Sequence, residues 1–303
     1  MVLAPEACTV EVAARPLRGG LLWSCLALGC SGDKADTGES CPSWSAPQAV
    51  ASLSGSPLDE ASGLAGSSTL SDILWTHNDD GDDDGVLHAV STDGTVSGSL
   101  TLTGAAPEDW ESVAVHNGFI YVGDIGDNDA EREHITILRT QEPSSISSGA
   151  EAGVVERFRF TWPDGPRDAE AMLVDPANGR LLVLSRDADR AEVMRLPDLD
   201  SATDGEAGAV VASVDLNSGV YAGLGAVRGA DVAADGSVVL RLSDGVVWLP
   251  GDGRAEAALA GVGCTVPNPS ETDGEGVAVS GDSLYFLGEG SDPTLWAVHR
   301  GGA

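Results

Sequence analysis

The sequence predicts an all-β fold, a single β-propeller of five four-stranded blades whose N-terminal strand closes the last blade. Two observations support this prediction. A unit of short, alternating β-type runs separated by Gly, Asn and Asp turns recurs along the chain. No long window shows the apolar stripe of an amphipathic helix. A repeated all-β unit of this kind is typical of a propeller that forms one domain.

The repeat is clearest at residues 109–141, where three β-type runs are separated by turns at 117–118 and 126–129. A fourth run follows each of the first four units, at residues 99–104, 154–162, 209–216 and 255–261. The units open in chain order at Ser62, Glu111, Glu170, Ala230 (with Asp231 next) and Glu275.

The fifth unit has no fourth run after it, whereas residues 49–55 form a β-type run before the first unit. An N-terminal strand that completes the last blade would cover an exposed edge and close the ring. We therefore expect the propeller domain to span residues 45–300. The irregular connections at 197–208 and 220–229 leave a six-bladed ring as the alternative.

Residues 1–30 are interpreted as an export signal. Arg15 and Arg18 precede the apolar run GLLWSCLALG, which is too short to span a membrane as a helix. The run ends in ALGC and resembles a bacterial lipobox, which implies cleavage before Cys30 and lipidation of that cysteine. By the same resemblance, Ser31 in place of an Asp implies an outer-membrane or cell-surface lipoprotein. A plain secretory signal, giving a secreted or periplasmic protein, is the alternative.

Residues 31–44 are small and polar, and we expect them to form a flexible tether. Cys8 and Cys25 would leave with the signal, and Cys30 would carry lipid. Cys41 and Cys264 remain as an even pair in an oxidising compartment. Since both lie at the edge of the closure between the last two blades, we expect them to form a disulfide.

The chain carries 48 acidic and 16 basic residues, a net charge of −32. This charge disfavours nucleic acid and anionic membrane surfaces as partners, and it favours cations. We expect a monomer that touches the membrane only through its lipid. The loops expected on one face of the propeller hold most of the acid, whereas the opposite face has short turns.

The first strand of each propeller blade lines the central channel, so the residues that open the units are expected at one level. Adjacent glutamates there would repel by roughly 3 kcal/mol per pair. A cation would relieve this repulsion, and carboxylate and hydroxyl oxygens suit Ca²⁺ better than Zn²⁺. The predicted calcium ligands are Ser62, Glu111, Glu170, Asp231 and Glu275. Alternatively, these acids bond the backbone of neighbouring blades.

The ring of serine and glutamates resembles the calcium-dependent five-bladed propellers of the apyrase type. In that family such a ring holds a central Ca²⁺, and Ala230 departs from the pattern. Residues 58–300 also resemble secreted bacterial propellers related to the SdiA-regulated and phytase-like esterase families, through phrases such as DWESVAV, YVGDIGDN and RDAEAMLVDPANGRLLVL. The resemblance implies a propeller fold and, as expectations, calcium binding and phosphoester or esterase chemistry.

A second calcium loop is predicted at Asp80, Asp82 and Asp84, the first half of a D-x-D-x-D-G pattern, with a solvated acidic turn as the alternative. Further residues are predicted to form a ligand-binding face around the channel mouth: His77, Asn78, Asp79, Asp109, Trp110, Asp124, Asp127, Asn128, Asp168, Arg186 and Glu289.

Two functions are consistent with these patterns. The first is a binding or scaffold module whose calcium-stiffened acidic face holds a protein, a glycan or a phosphorylated small molecule. The second is a Ca²⁺-dependent phosphoester hydrolase. Because the acidic face carries few arginines and no lysine, and because no catalytic motif is present, the sequence favours binding. It assigns no catalytic residue and leaves open whether the chain is an enzyme.

Overall fold

The computed structural model describes residues 41–79, 85–152, 154–271 and 273–301. The predicted export signal, Cys30, most of the tether and the loop of Asp80, Asp82 and Asp84 lie outside the described residues. Within the described part of the chain, no helix has the length and apolarity needed to cross a membrane.

The strands form five antiparallel blades arranged in chain order, as predicted. Strand β1 (Gln48–Ser52) precedes them. Blade 1 consists of β2 (Ala61–Gly66), β3 (Ile73–Asn78), β4 (Val86–Ser91) and β5 (Val96–Thr101). Blade 2 consists of β6 (Trp110–His116), β7 (Phe119–Asp124), β8 (Ile135–Gln141) and β10 (Val155–Thr161). The two-residue strand β9 (Ala150–Glu151) precedes β10 in the chain but pairs with β5 of blade 1. Blade 3 consists of β11 (Ala169–Val174), β12 (Leu181–Ser185), β13 (Arg190–Arg195) and β15 (Ala209–Asp215). The two-residue strand β14 (Glu206–Ala207) precedes β15 in the chain but pairs with β10 of blade 2.

Blade 4 consists of β16 (Val227–Val232), β17 (Val238–Leu242), β18 (Gly245–Leu249) and β19 (Cys264–Val266). Blade 5 consists of β20 (Gly274–Ser280), β21 (Ser283–Gly288) and β22 (Thr294–His299), and β1 pairs antiparallel with β22 as its fourth strand. The first strands contact one another in the order β2, β6, β11, β16 and β20, and β20 returns to β2. This ring of contacts and the closing β1 confirm the predicted five-bladed architecture.

The closure is reinforced beside β1. The structure joins Cys41 to Cys264 by a disulfide with a Cα–Cα separation of 5.6 Å, which ties the approach to β1 to the fourth strand of blade 4. Trp44 packs edge-on against Trp248 at 5.4 Å between ring centroids. The segment before β1 is therefore held to blade 4 by side chains, in addition to the β1–β22 ladder of blade 5.

The predicted position of the fourth strand of blade 4 is wrong. Residues 255–261 were expected to form it, but Ala255–Leu259 is a short α-helix (α1) and the strand is Cys264–Val266. The sequence AEAAL consists of strong helix formers without a β-branched residue, so its local preference is helical. Alternation of apolar residues over so few positions does not separate strand from helix.

Neither irregular connection is a sixth blade. Residues 197–208 contain β14, which adds to the outer edge of blade 2 by parallel pairing with β10. Residues 220–229 contain the end of a 3₁₀ turn at Gly219–Tyr221 and the beginning of β16. Likewise β9 extends the edge of blade 1. These additions cover outer strands, which would otherwise expose unpaired backbone groups.

Apolar side chains fill the space between neighbouring blades. All six residues of β11 and all five of β12 are buried, whereas the outer strands β10 and β15 are mostly exposed or half-buried. The cluster shared by blades 3 and 4 includes Leu173, Leu184, Val227 and Leu240. The inner strands therefore form a rigid frame, and the chemistry of the channel mouth is set by the few polar residues on them.

Candidate functional site

The first strand of every blade is irregular at the same point, near its beginning. In blades 2 to 5, one residue bulges out of the pairing with the second strand, and in blade 1 the irregularity covers Ser62 and Gly63. We call these bulged positions the ring. Its members are Ser62, Glu111, Glu170, Arg228 and Glu275. A bulge turns a side chain away from the regular alternation of a strand, which is how each blade directs one polar group toward the channel mouth.

In blade 4, the ring residue differs from the one that the sequence repeat predicts. Its ring residue is Arg228, two residues before the Ala230 that was aligned there. The predicted ligand Asp231 lies further along β16, where its carboxylate accepts backbone hydrogen bonds from Val232 (2.8 Å) and Val279 (2.7 Å). Burial raises the pKa of Asp231 to about 7, and the two hydrogen bonds oppose that rise. Asp231 therefore joins blade 4 to blade 5 through the backbone N–H of Val279, as in the alternative in which these acids bond neighbouring blades.

A glycine pattern in the sequence carries the correct register. The residues after Arg228 and Glu275 are Gly229 and Gly276, and each strand continues to a valine at the same spacing. A Cβ on Gly229 would lie 2.4 Å from the Glu275 carbonyl oxygen, and one on Gly276 would lie 2.6 Å from the Ser62 carbonyl oxygen. The close approach of neighbouring first strands thus requires glycine directly after these ring residues. Aligning the repeated units by their acidic residues alone does not use these glycines.

On one side of the mouth, carboxyl groups meet without arginine. The Asp109 and Glu111 carboxyls lie close to one another. The Ser62 hydroxyl is 3.3 Å from Glu111 Oε2 and also donates to the Glu111 carbonyl at 3.1 Å. Both carboxyls lie over Gly126, since a Cβ there would be 2.4 Å from Asp109 Oδ2 and 2.7 Å from Glu111 Oε1.

The electrostatic environment of Glu111 is strongly unfavourable to its charge. Burial, and then repulsion from Glu170, Asp109, Asp79 and Glu275, raises the pKa of Glu111 to about 10. Burial and the charge of Asp168 also raise the pKa of Asp109, and Arg132 partly opposes this. A proton or a cation bound at this pair would relieve the repulsion between the two carboxyls.

A second group of carboxylates lies beside this pair. One oxygen each from Glu60, Asp79 and Glu289 lie within 4.8 Å of one another, a spacing that a single metal ion can bridge. Burial raises the pKa of Glu289, and repulsion from Asp79 and Glu60 adds to the shift. We call the five residues Glu60, Asp79, Asp109, Glu111 and Glu289 the acidic arc. Among the described residues, Glu60, Asp109, Glu111 and Glu289 form no ion pair with an arginine.

The opposite side of the mouth is neutralised by arginine. Arg228 Nη1 lies 3.1 Å from Glu275 Oε1 and 3.4 Å from Glu170 Oε2. Arg186 forms an ion pair with Glu170 and lies 3.3 Å from Asp168 Oδ2. We call Glu170, Glu275, Arg186 and Arg228 the arginine side. Burial still raises the pKa of Glu170 to about 7 and that of Glu275 to about 8.

Several residues of the predicted ligand face are buried and pack against neighbouring side chains. His77 is fully buried, burial lowers its pKa to about 4, and its ring packs edge-on against Trp110 at 5.6 Å. Trp110 is itself 1% exposed. These two side chains pack against each other under the mouth, between blades 1 and 2.

Two aspartates of the same predicted face hold loops in place. Asp124 accepts hydrogen bonds from the backbone N–H of Glu108 and Asp109 and from Arg132. Asp127 accepts from the backbone N–H of Glu131 and Arg132. Both are buried and satisfied by the protein, so they position Asp109 and its loop.

The remaining predicted face residues lie at or beside the mouth. The Asp127 N–H donates to Asp168 Oδ1 at 2.8 Å, and Arg186 donates to Asn128 Oδ1 at 3.1 Å. Asn78 donates to the Pro57 carbonyl and fixes the loop that leads to Glu60. Asp79 and Glu289 belong to the acidic arc. The residues that sequence reasoning missed here are Arg228 and Glu60.

No protein-family model matches the chain, and no curated protein matches it. Solved structures with a similar fold include a gluconolactonase from Xanthomonas campestris, with 12% identity, 86% of this chain and 97% of that chain covered, and a TM-score of 0.45. The soluble aldose sugar dehydrogenase of Escherichia coli is 10% identical, with 86% and 100% covered and a TM-score of 0.48. Virginiamycin B lyase from Staphylococcus aureus is 10% identical, with 85% and 99% covered and a TM-score of 0.42. Similarity at this level concerns the fold alone.

Proposed function

We propose that this propeller is a calcium-dependent binding module whose acidic arc holds Ca²⁺ at the channel mouth. The observation that carries the proposal is the closeness of the Asp109 and Glu111 carboxyls, which both lie over Gly126 beside the Ser62 hydroxyl and form no ion pair with an arginine of the described residues. Two carboxylates in contact repel strongly when buried, and a divalent cation between them removes the repulsion.

The donor set fits a hard cation. The arc and Ser62 offer only carboxylate and hydroxyl oxygens, and the nearby His77 is fully buried, with its Nδ1 3.0 Å from the Asn78 carbonyl. Ca²⁺ takes six to eight oxygen ligands in flexible geometry, whereas Zn²⁺ prefers nitrogen and sulfur. Asp109, Glu111 and Ser62 would be the inner ligands, with Asp79, Glu60 and Glu289 on the outer side.

The test is a thermal melt of the exported domain in chelator and in Ca²⁺. Calcium should raise Tm by mass action, because it binds the folded arc and not the unfolded chain. Glu111→Gln should lose most of this response, whereas Glu256→Gln, in a partly exposed ion pair with Arg195, should keep it. A wild-type Tm that is the same in chelator and in millimolar calcium would exclude the proposal.

A Ca²⁺-dependent phosphoester hydrolase is the second candidate, and one observation favours it. Arg228 occupies a ring position and Arg186 lies beside it, so two guanidinium groups stand across the mouth from the proposed cation. A cation and arginines are the groups that stabilise developing negative charge in phosphoryl transfer. A panel of nucleoside diphosphates, phytate and p-nitrophenyl esters, with and without Ca²⁺, separates the candidates. Calcium-dependent turnover that Arg228→Gln removes would establish the hydrolase.

The export of the protein as a surface lipoprotein is also part of this proposal. It is supported by the ALGC sequence at Cys30 and by the Cys41–Cys264 disulfide, a bond typical of oxidising compartments. Labelling of expressing cells with a palmitate analogue tests it. The label should appear on the wild-type chain and be lost in Cys30→Ser, and equal labelling of both would contradict lipidation at this cysteine.

A further inference from the structure

A groove lies on the face of the propeller opposite the acidic arc, between blades 2 and 3. Its volume is about 490 Å³. The loops that form it include the β6–β7 turn at Asn117, the β11–β12 turn at Asn178 and the segment after β13 at 197–200. This volume lies in the range of small-molecule binding sites, which is about 300–1,000 Å³.

The groove is independent of the channel mouth. Its residue His116 ends β6, five residues after Glu111, which places it about 17 Å along the strand at the usual rise. No residue of the acidic arc or of the arginine side lines it. Occupancy of one site therefore does not require the other.

The floor is aromatic and rigid. Phe119 and Tyr121 lie on β7, and the Arg139 guanidinium stacks over the Phe119 ring at 5.4 Å and over the Phe158 ring at 5.2 Å. Arg139 is also fixed by hydrogen bonds to Glu156 and Asp200, both at 2.8 Å. A side chain held on four sides is pre-organised, so a ligand bound here does not have to order it.

The charges that line the groove cancel. Arg139 pairs with Asp200 at 2.8 Å, and Arg180 pairs with Asp198 at 3.4 Å. Burial lowers the pKa of His116 although Asp175 opposes the shift, which favours the neutral imidazole near pH 7. In a chain of net charge −32, a lining of two arginines and two aspartates is locally balanced. Such a lining selects neither an anion nor a cation.

Hydrogen-bonding groups of both kinds surround the floor. Asn117 Nδ2 lies 2.9 Å from His116 Nε2, and Asn178 Oδ1 accepts the Arg180 backbone N–H at 2.9 Å. These contacts fix the orientation of both amides and leave further donors and acceptors on them. The groove thus offers paired donors and acceptors, some apolar surface and no net charge.

We propose that this groove is a binding site for a short neutral saccharide. Hydroxyl groups both donate and accept, so a sugar matches carboxylate, guanidinium and amide groups placed side by side. The C–H groups of a sugar ring match the apolar part of the lining, which includes the half-buried Phe119, Pro176 and Pro197. A peptide would need apolar side-chain pockets that this largely polar lining does not supply.

The experiment is ligand-observed NMR and calorimetry on the exported domain with maltotriose, cellotriose and chitotriose, and with glucuronate as a charged comparator. At least one trisaccharide should bind more tightly than glucuronate, with an affinity unchanged by chelator. Asn178→Ala and Arg180→Ala should each weaken binding five-fold or more. Arg195→Ala, which removes an arginine from a pair with Glu256 outside this groove, should leave the affinity within two-fold.

Three results would overturn the proposal. They are no binding of any trisaccharide at 10 mM, tighter binding of glucuronate than of every trisaccharide, and binding that both groove variants leave unchanged. Asn178→Asp and Arg180→Lys serve as second variants if the alanine proteins are unstable. Because the groove holds no ligand of the proposed calcium site, loss of saccharide binding in chelator would also contradict it.

Discussion

On the arginine side of the channel mouth, Arg228 and Arg186 form ion pairs with the buried Glu170 and Glu275. On the acidic arc, the Asp109 and Glu111 carboxyls lie close together over Gly126, and among the described residues neither forms an ion pair with an arginine. The two sides use the same bulged position of the first strand. Their pKa values follow the difference, since that of Glu111 rises to about 10 and those of Glu170 and Glu275 to about 7 and about 8. The comparison teaches that the fold places one polar side chain of each blade at the channel mouth. The residues around that side chain then decide whether its charge is compensated by an arginine of the protein or by a bound ligand.

The largest effect is expected from removing the internal cation. Arg228→Gln leaves two buried carboxylates without their shared guanidinium, and breaking a buried pair in this way costs about 3 kcal/mol. Chemical denaturation should show a lower free energy of unfolding and an unchanged m-value. The matched change Arg195→Gln, in a more exposed pair, should cost less than about 1 kcal/mol. Equal losses in the two variants would show that the arginine side is not a buried charge network.

The second effect is a pH dependence that calcium reverses. The folded-state pKa values of Glu111, Glu170 and Glu275 lie above their ordinary value of 4.5. Their contribution to stability is therefore fully present below about pH 4.5 and is lost as pH rises through the folded pKa values, at most about 1.4 kcal/mol per pH unit for each carboxyl. In chelator, stability from these groups should fall between about pH 5 and pH 8.

Calcium should flatten or reverse this slope, because a bound cation favours the ionised carboxylates. Thermal melts at pH 5, 6.5 and 8 with chelator or Ca²⁺ measure the effect. Parallel pH profiles in the two conditions would mean that the acids of the mouth are not calcium ligands.

The smallest effect is expected at the outer end of the arc. Glu289 is half-buried, and its carboxylate reaches the cluster with Glu60 and Asp79. Glu289→Gln should therefore weaken calcium binding only a few-fold, as a solvated outer ligand, and should change the free energy of unfolding little. A loss as large as that in Glu111→Gln would move the ion from the Asp109–Glu111 pair to the outer cluster.

The fold could be predicted from the sequence because the repeat is written in local patterns. Alternating apolar runs, Gly and Asn turns and the unmatched run before Ser62 together specify five blades closed by β1. The fourth strand of blade 4 could be predicted only in part. The composition of AEAAL favours a helix over a strand, but the three-residue CTV is selected as a strand by its ladder with β18.

The site could be predicted only in part, for a related reason. Ser62, Glu111, Glu170 and Glu275 do open their strands at the ring, since the acids repeat with the blades. Arg228 was missed because matching the acidic openings aligned Ala230, next to Asp231, at this position, whereas Gly229 and its close contact with Glu275 give the correct register. The burial of His77 and Trp110 depends on packing between blades 1 and 2, which periodicity in one strand does not encode.

The central claim is that the acidic arc, and not the arginine side, holds the calcium ion. Isothermal titration of Ca²⁺ into the wild-type domain, Glu111→Gln and Glu170→Gln tests it directly. The wild-type protein should bind calcium, Glu111→Gln should lose at least ten-fold in affinity, and Glu170→Gln should lose clearly less because its partners are arginines. Wild-type-like binding in Glu111→Gln, or a larger loss in Glu170→Gln, would contradict the account.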